Sequence, residues 1–487
     1  MSPLLSSCRR PLPALLAILL AGCASTHGLA PQASAPADVD RLSAGDSLRD
    51  ATLSPAAWPE HDWWRALGDP SLDALIQHAL AAAPSLDAAD ARLRRALAQA
   101  GMAEAGLRPT LGATAQQSRI DLPDALPAPV GGMSVDSTLS SLRFAWAPDL
   151  WGGQRARLSA ALGAAHATAA EAQAARMTLA GNIAHAWVAL AQAYDTQAAA
   201  RAELRRNAKL NALGEQRVRA GIDNRIPLEQ SRSAEAAARA QVKAAGQQIE
   251  ALRNTLAILA GEGPDFAHTL ARPKPLTPAI ALPARLPSEL ISRRADVAAA
   301  RWRVEAALRN IQSAKADFHP SLNLAAMVGV VSPSLGQLFK RESGFTYAAP
   351  AISLPILDGG RLRSQLAGRH AEFDLAIAEH DQTVLTAIHQ VINAVQAARA
   401  LDARIAAAMH SRQAAAQATD LMRQRRQAGI ASQLDVLNAE RPLAQLDQQL
   451  AQLRARRLDA AIDLDLALGG GLPATPLPAS HEKTATP

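Results

Sequence analysis

Arg217-Val218-Arg219-Ala220-Gly221-Ile222 returns about 208 residues later as Arg425-Arg426-Gln427-Ala428-Gly429-Ile430. Leu259-Ala260-Gly261 meets Ala467-Leu468-Gly469 at the same offset. Upstream, Gly152-Gly153-Gln154-Arg155 corresponds to Gly359-Gly360-Arg361, and Leu107-Arg108-Pro109-Thr110-Leu111 to Phe318-His319-Pro320-Ser321-Leu322. Landmarks in one order at nearly one offset mark an internal duplication. The first copy is expected over residues 51–263 and the second over 289–471. A connector at 264–288, with six prolines, separates them and favours extended chain. Residues 23–50 read as a linker and 472–487 as a flexible tail, rich in Ala, Ser, Thr and Pro.

Each copy repeats one order of elements. A first helix is expected over roughly 71–105 and 289–317, ended by Pro109 or Pro320. Asp69-Pro70 supplies an N-cap acceptor and a first-turn proline at its start. Two segments of period-two alternation follow. Leu111, Ala113 and Ala115 alternate with Gly112, Thr114 and Gln116 in the first copy, and Leu322, Leu324, Ala326, Val328 and Val330 share a face in the second. The partner strands set Leu142, Phe144 and Trp146 against Ser141 and Arg143, with Phe345, Tyr347 and Ala349 on one face of the last. Apolar on one side and small or polar on the other suits a barrel wall between lipid and water. A half-buried soluble hairpin has the same alternation.

Beyond each glycine pair the chain turns Ala-rich, with no proline from about 153 to 219 or from 361 to 427. About 65 residues at 1.5 Å rise make a helix of roughly 100 Å. Gly221 and Gly429 stop these helices, and helices of some 35 residues return. Three-four spacing of Leu443, Leu446, Leu450 and Leu453, of Ile249, Leu252, Leu256 and Leu259, and of Leu179, Ile183, Ala186 and Leu190 is coiled-coil packing. Alanine favours helix and lets axes approach closely. It also leaves little apolar bulk, so a lone two-helix hairpin buries too little surface and needs neighbours.

The N-terminus reads as an address. Arg9 and Arg10 precede the apolar run Leu12–Leu20, which closes on Leu20-Ala21-Gly22-Cys23. Residues 1–22 form a signal-peptide pattern, too short to span a bilayer. Small residues before Cys23 resemble the bacterial lipobox, whose cysteine takes a diacylglycerol and an N-acyl chain; two or more chains anchor stably. Ala24 and Ser25 follow with no aspartate, which by the same resemblance favours the outer membrane. Cys8 leaves with the signal, so no disulfide or thiol metal site is expected. Removing Arg9 and Arg10 takes the formal charge from +6 to +4, and the basic residues are interspersed with acids, which argues against nucleic-acid binding.

Trp63-Trp64-Arg65-Ala66-Leu67-Gly68-Asp69-Pro70-Ser71-Leu72-Asp73-Ala74-Leu75-Ile76 resembles the opening signature of the outer-membrane factor (TolC-like) family. More narrowly it is similar to NodT-type lipoproteins serving resistance-nodulation-division pumps. Arg294-Ala295-Asp296-Val297-Ala298-Ala299-Ala300, Ala314-Lys315-Ala316-Asp317-Phe318-His319-Pro320-Ser321 and Leu354-Pro355-Ile356-Leu357-Asp358-Gly359-Gly360-Arg361 extend the likeness over nearly the whole mature chain. The resemblance implies a mainly α chain with a β-barrel part. Four strands from each of three subunits would close a twelve-stranded outer-membrane barrel, continuous with a periplasmic α-helical coiled-coil barrel. It further implies a homotrimer set in outer-membrane lipid, a periplasmic adaptor (membrane fusion) protein and an inner-membrane pump as partners. Export would be passive.

The resemblance also assigns residues. Leu434-Asp435-Val436-Leu437-Asn438 matches a constriction motif, with Asp435 on an acidic position and Asn438 where relatives carry a second aspartate. Pro227 stands at the first-copy equivalent, so a weaker cation filter is expected. Three Asp435 carboxylates on one axis would repel and raise one another's pKa. A first-turn acid favoured by the helix dipole is the simpler alternative. Arg219-Ala220-Gly221-Ile222 and Gln427-Ala428-Gly429-Ile430 match adaptor-docking turns, although a glycine cap alone explains Gly221 and Gly429.

Catalysis is not expected, since HExxH, GxSxG and a phosphate loop are missing from the sequence and the twelve histidines are scattered. Asp358-Gly359-Gly360 has no ligand series after it, so no metal or cofactor beyond the acyl chains on Cys23 is expected. A type I secretion duct or a lipid-anchored periplasmic scaffold are the remaining alternatives.

Overall fold

The computed structural model describes residues 26, 28–33, 35–36, 53–54, 60–125, 127, 129, 131–276, 282–283 and 293–470. The signal segment, Cys23 and the tail at 472–487 lie outside them, as do parts of the linker and connector. In chain order the elements are β1 (Leu53–Ser54), α1 (Pro70–Ala82), α2 (Pro84–Ala105), β2 (Thr110–Asp121) and β3 (Ser134–Trp146). Then come α3 (Gly153–Arg219), α4 (Arg225–Leu259), β4 (Leu282–Pro283) and α5 (Ala295–Ala316). The chain closes with β5 (Ser321–Ser332), β6 (Gly344–Ser353), α6 (Arg361–Gln427) and α7 (Gln433–Ala467). The outward helices α3 and α6 each run 67 residues, and the return helices α4 and α7 each run 35.

Two local expectations need correction. The first helix of copy one is two helices, because Ala83 is extended (φ −71°, ψ 124°) before Pro84. A proline at that position disfavours αR in its predecessor and removes a helical N–H. The Pro-rich connector is also not uniformly extended chain. It contains a 3-10 turn, Pro264–Thr269, and β4, which pairs in parallel with β1.

Contacts divide the chain into two units. The first contains residues 93–168 and 300–380 with the segment around Leu29. Its centre is a four-stranded antiparallel sheet in the order β2-β3-β5-β6. Thr110 pairs with Ala145, Trp146 with Leu324 and Ser321 with Ser353, so all four strand-to-helix junctions leave one end of the sheet. Close helix contacts adjoin that end. A Cβ on Gly153 would stand 2.7 Å from Ala316 Cβ and one on Gly163 would stand 3.2 Å from Ala306 Cβ, so α3 and α5 approach closely. His166 stacks on Trp302 at 4.6 Å, and Arg157 reaches Asp317 at 2.9 Å. Leu29 and Ala33 pack on the cluster formed by α5 and α6, while the Gln32 and Ala33 amides donate to the Asp374 carboxylate.

Register decides which residues share a sheet face. Leu111, Phe144 and Ala326 align across three strands, as do Ala113, Leu142 and Val328, giving a continuous apolar face. Phe345, Tyr347 and Ala349 do not join it. Tyr347 pairs with Met327, and Met327 with Arg143, so these three residues line the opposite face. Period-two alternation selects residue sets within one strand; only pairing assigns a set to a side.

The second unit contains residues 60–92, 169–276, 293–299 and 381–470 among those described. Its core gathers Trp64, Leu72, Ile76, Ile183, Trp187 and Ile462, each under 3 % exposed. Further along the paired helices the buried alanines Ala387, Ala394, Ala398 and Ala408 are interspersed with Val384, Val391, Val395 and Leu401. Gly181 admits Leu466, whose Cδ1 would lie 2.5 Å from an added Cβ. Among the described residues no helix is long and apolar enough to cross a membrane.

Candidate functional site

The two hairpin turns are built identically. Gly221 sits at φ +69° and Gly429 at φ +75°. Ile222 N donates to Arg217 O and Ile430 N to Arg425 O, both at 2.9 Å. Gly221 N and Gly429 N reach back to Val218 O and Arg426 O. This is a Schellman closure, in which a left-handed residue satisfies the orphan carbonyls of the helix end. It turns Ile222 and Ile430 outward, 64 % and 67 % exposed. Apolar side chains held outward on rigid turns can meet a partner.

The turns differ in their electrostatics. In the first, Arg217 grips Asp223 through Nε–Oδ2 at 2.6 Å and Nη2–Oδ1 at 3.1 Å. That hydrogen bond and charge hold the Asp223 carboxyl below its ordinary range. In the second turn Ala431 stands two residues beyond the glycine, so no such clasp forms. Asp435 instead closes a capping box: its Oδ2 accepts from Ser432 N at 2.8 Å and Ser432 Oγ at 2.7 Å, and Ser432 Oγ accepts from Asp435 N at 3.2 Å. Those hydrogen bonds, with the charge of Arg425, lower the Asp435 pKa within one chain. The rise expected from a ring of like charges is a property of several chains. Asp435 and Asn438 lie one turn apart on the exposed side of α7, whose other side buries Val436 and Leu437. Within the single chain Asp435 is a helix cap with an exposed side chain.

Sequence reasoning did not single out Thr419, Arg423 or Pro442, which adjoin this tip. Pro442 lies inside α7 and cannot donate to the Asn438 carbonyl. One residue on, the Ala439 carbonyl accepts from Thr419 Oγ1 at 3.0 Å, and Arg423 joins Asp420 and Glu440. The proline within a long helical run was the available signal.

The sheet is the second element of the site. Its apolar face is uncovered in the single chain: Leu111 is 72 % exposed and Ile352 77 %. Its outer strands, β2 and β6, each have one neighbour, so each leaves a row of backbone N–H and C=O groups unpaired.

A family model described as outer membrane efflux protein matches residues 75–262 and 286–470. The chain belongs to the outer membrane efflux protein family. It is 35 % identical over 363 residues to the fusaric acid resistance protein FusA of Burkholderia cepacia, covering 73 % of this chain and 68 % of that one. It is 31 % identical over 482 residues to the multidrug resistance outer membrane protein MdtP of Shigella flexneri, covering 94 % and 95 %. Among solved structures, the outer membrane protein VceC of Vibrio cholerae superposes with a TM-score of 0.76 at 34 % identity, over 85 % of this chain and all of that one. As a member of the outer membrane efflux family, this protein is an efflux channel component of the outer membrane. The family's opening signature has a structural part here. Asp69 caps α1, and Asp73 accepts from Trp64 Nε1, Arg65 Nε and Gln77 Nε2.

Proposed function

We propose that three copies of this chain close one passive duct, through which small toxic molecules delivered by an inner-membrane pump and a periplasmic adaptor leave the cell. The open-edged sheet carries the reading. A lipid-exposed strand edge leaves backbone groups without partners at several kilocalories per mole each, on the order of the transfer cost of an amide into hydrocarbon. Pairing β2 of one copy with β6 of the next removes both edges, and a three-fold ring of such pairs closes twelve strands. The resistance-related names of FusA and MdtP support a cargo of drugs and other toxic compounds. The resemblance of the Trp63–Ile76 signature to NodT-type lipoproteins supports a pump of the resistance-nodulation-division class.

Acylation of Cys23 would hold the chain to the membrane as the barrel assembles. Arg219, Ala220, Gly221 and Ile222, with Gln427, Ala428, Gly429 and Ile430, would receive the adaptor's helical hairpin. Asp435 and Asn438 would face the axis where the duct narrows. The exposed Ile222 and Ile430 support the docking role, and the exposed carboxylate of Asp435 supports the constriction role.

The test is purification of the acylated protein in detergent. Expected are a heat-modifiable trimer on gels, a strand signal in circular dichroism, and single-channel steps in planar bilayers. A water-soluble monomer without strand content overturns the proposal.

A further inference from the structure

The strands of the sheet carry four charged residues: Arg119, Asp121, Asp136 and Arg143. Three of them cluster at the β2–β3 hairpin end, farthest from the helix junctions. Arg119 pairs there with Asp136 in the strand register and forms a 3.2 Å ion pair with Asp121. Arg143 stands apart. It lies three residues from the junction end of β3, between Leu142 and Phe144, which belong to the apolar face. Successive side chains of a strand point to opposite sides, so Arg143 projects from the other face at the depth of the apolar band. The reverse arrangement is unfavourable, since an arginine facing lipid near the midplane costs about 2–4 kcal/mol.

Register places Gly112 on one side of Arg143 and Met327, then Tyr347, on the other. Gly112 has no side chain to cover the guanidinium. The row nearer the helices holds Thr110, Ala145, Ala325 and Ala349, and the row beyond holds Thr114, Ser141, Gly329 and Phe345. Neither supplies a carboxylate, and among the described residues no acid pairs with Arg143.

We propose that Arg143 is a charge-selecting residue of the duct, three copies of which ring the bore beside Met327 and Tyr347 and favour the passage of small organic anions. The inference rests on the trimeric conduit reading. Charges on a water-filled wall backed by lipid act through a low-dielectric surround, which focuses their field into the lumen. Within the described strands this ring is the only net charge on the bore face. A phenol and a thioether beside it give anions with apolar bodies a surface to slide along.

A water-filled bore face admits small reagents from outside, so thiol labelling tests the idea. Thr114→Cys places one thiol on the same face, one row from Arg143; Gln116→Cys serves as a second position if the first fails to trimerise. Anionic and cationic water-soluble methanethiosulfonates are applied to outer membranes carrying Arg143, R143K or R143Q. The anionic-to-cationic rate ratio is expected to fall several-fold in R143Q and to hold in R143K. An equal ratio in all three overturns the ring while leaving the conduit reading intact. A heat-modifiable trimer whose position 114 and 116 thiols react with neither reagent shows that this face is not wet, which overturns both.

Discussion

Trp187 Nε1 donates a 2.9 Å hydrogen bond to Asp69 Oδ2 across 118 residues of chain, with both side chains almost wholly buried. The same oxygen accepts from Lys274 N at 3.0 Å, while Oδ1 accepts from Ser71 N at 2.9 Å. One carboxylate thereby ties the start of α1, the outward helix α3 and the chain after α4. Asp69→Ala removes an N-cap, about 0.5–2 kcal/mol, and leaves the buried Trp187 Nε1 donor unsatisfied at roughly 1–3 kcal/mol. A large drop in the protein's melting temperature is expected, with Trp187→Phe giving a smaller one. Unchanged melting of Asp69→Ala would remove this hub from the account.

His185 on α3 is held between Asp459 and Asp463 on α7, with Nδ1–Oδ1 at 2.9 Å and Nε2–Oδ1 at 3.2 Å. Burial alone would depress the imidazole. The two carboxylates outweigh burial through their hydrogen bonds and charges and raise its pKa to about 9. A pKa raised on folding gives stability fully present below the unfolded value, near 6.5, and lost as pH climbs through 9. Wild-type melting should therefore fall between pH 7 and 9.5 more steeply than that of His185→Gln. Parallel curves would show that this clamp does not contribute.

Charge and cap at Asp435 can be separated. Asp435→Asn keeps an oxygen able to accept from Ser432 but loses the anion. Asp435→Ala loses both, costing about 1 kcal/mol of local helix stability. Both variants should shift the reversal potential measured in planar bilayers under a salt gradient toward anions. Selectivity identical to wild type in both would leave Asp435 as a helix cap only.

The docking turns predict a split between folding and transport. Ile222→Asp and Ile430→Asp alter exposed side chains and should leave the trimer intact on gels. Drug susceptibility of cells relying on this channel should rise, with adaptor cross-linking lost. Resistance equal to wild type in the double variant would refute docking through these turns.

Gly221 and Gly429 make a different prediction. Nothing stands within 4 Å of a Cβ at either position, so the cost of Gly429→Ala is backbone strain alone, about 1–2 kcal/mol. Local hydrogen exchange of the turn should quicken, with little change in the core around Trp187.

Much of this was legible in the chain. The long helices could be bounded because runs without proline propagate and the glycines at 221 and 429 stop them. The strands were visible as alternation, though the side to which Tyr347 belongs was not. The break before Pro84 was written in the sequence but obscured by the apolar repeat running through it. At Asp435 the residue type suited a cap and a constriction equally, and the Ser432 geometry established the cap.

Sequence alone determined the duplication, the helix lengths and the alternation, because these depend on local periodicity and on where backbone dihedrals are permitted. Tertiary structure alone decided that Arg143, Met327 and Tyr347 share a row, and that Asp69 meets Trp187. Those relations depend on which strand and which helix lie alongside. Pairing is a choice among long-range contacts, and no local pattern of residues encodes it.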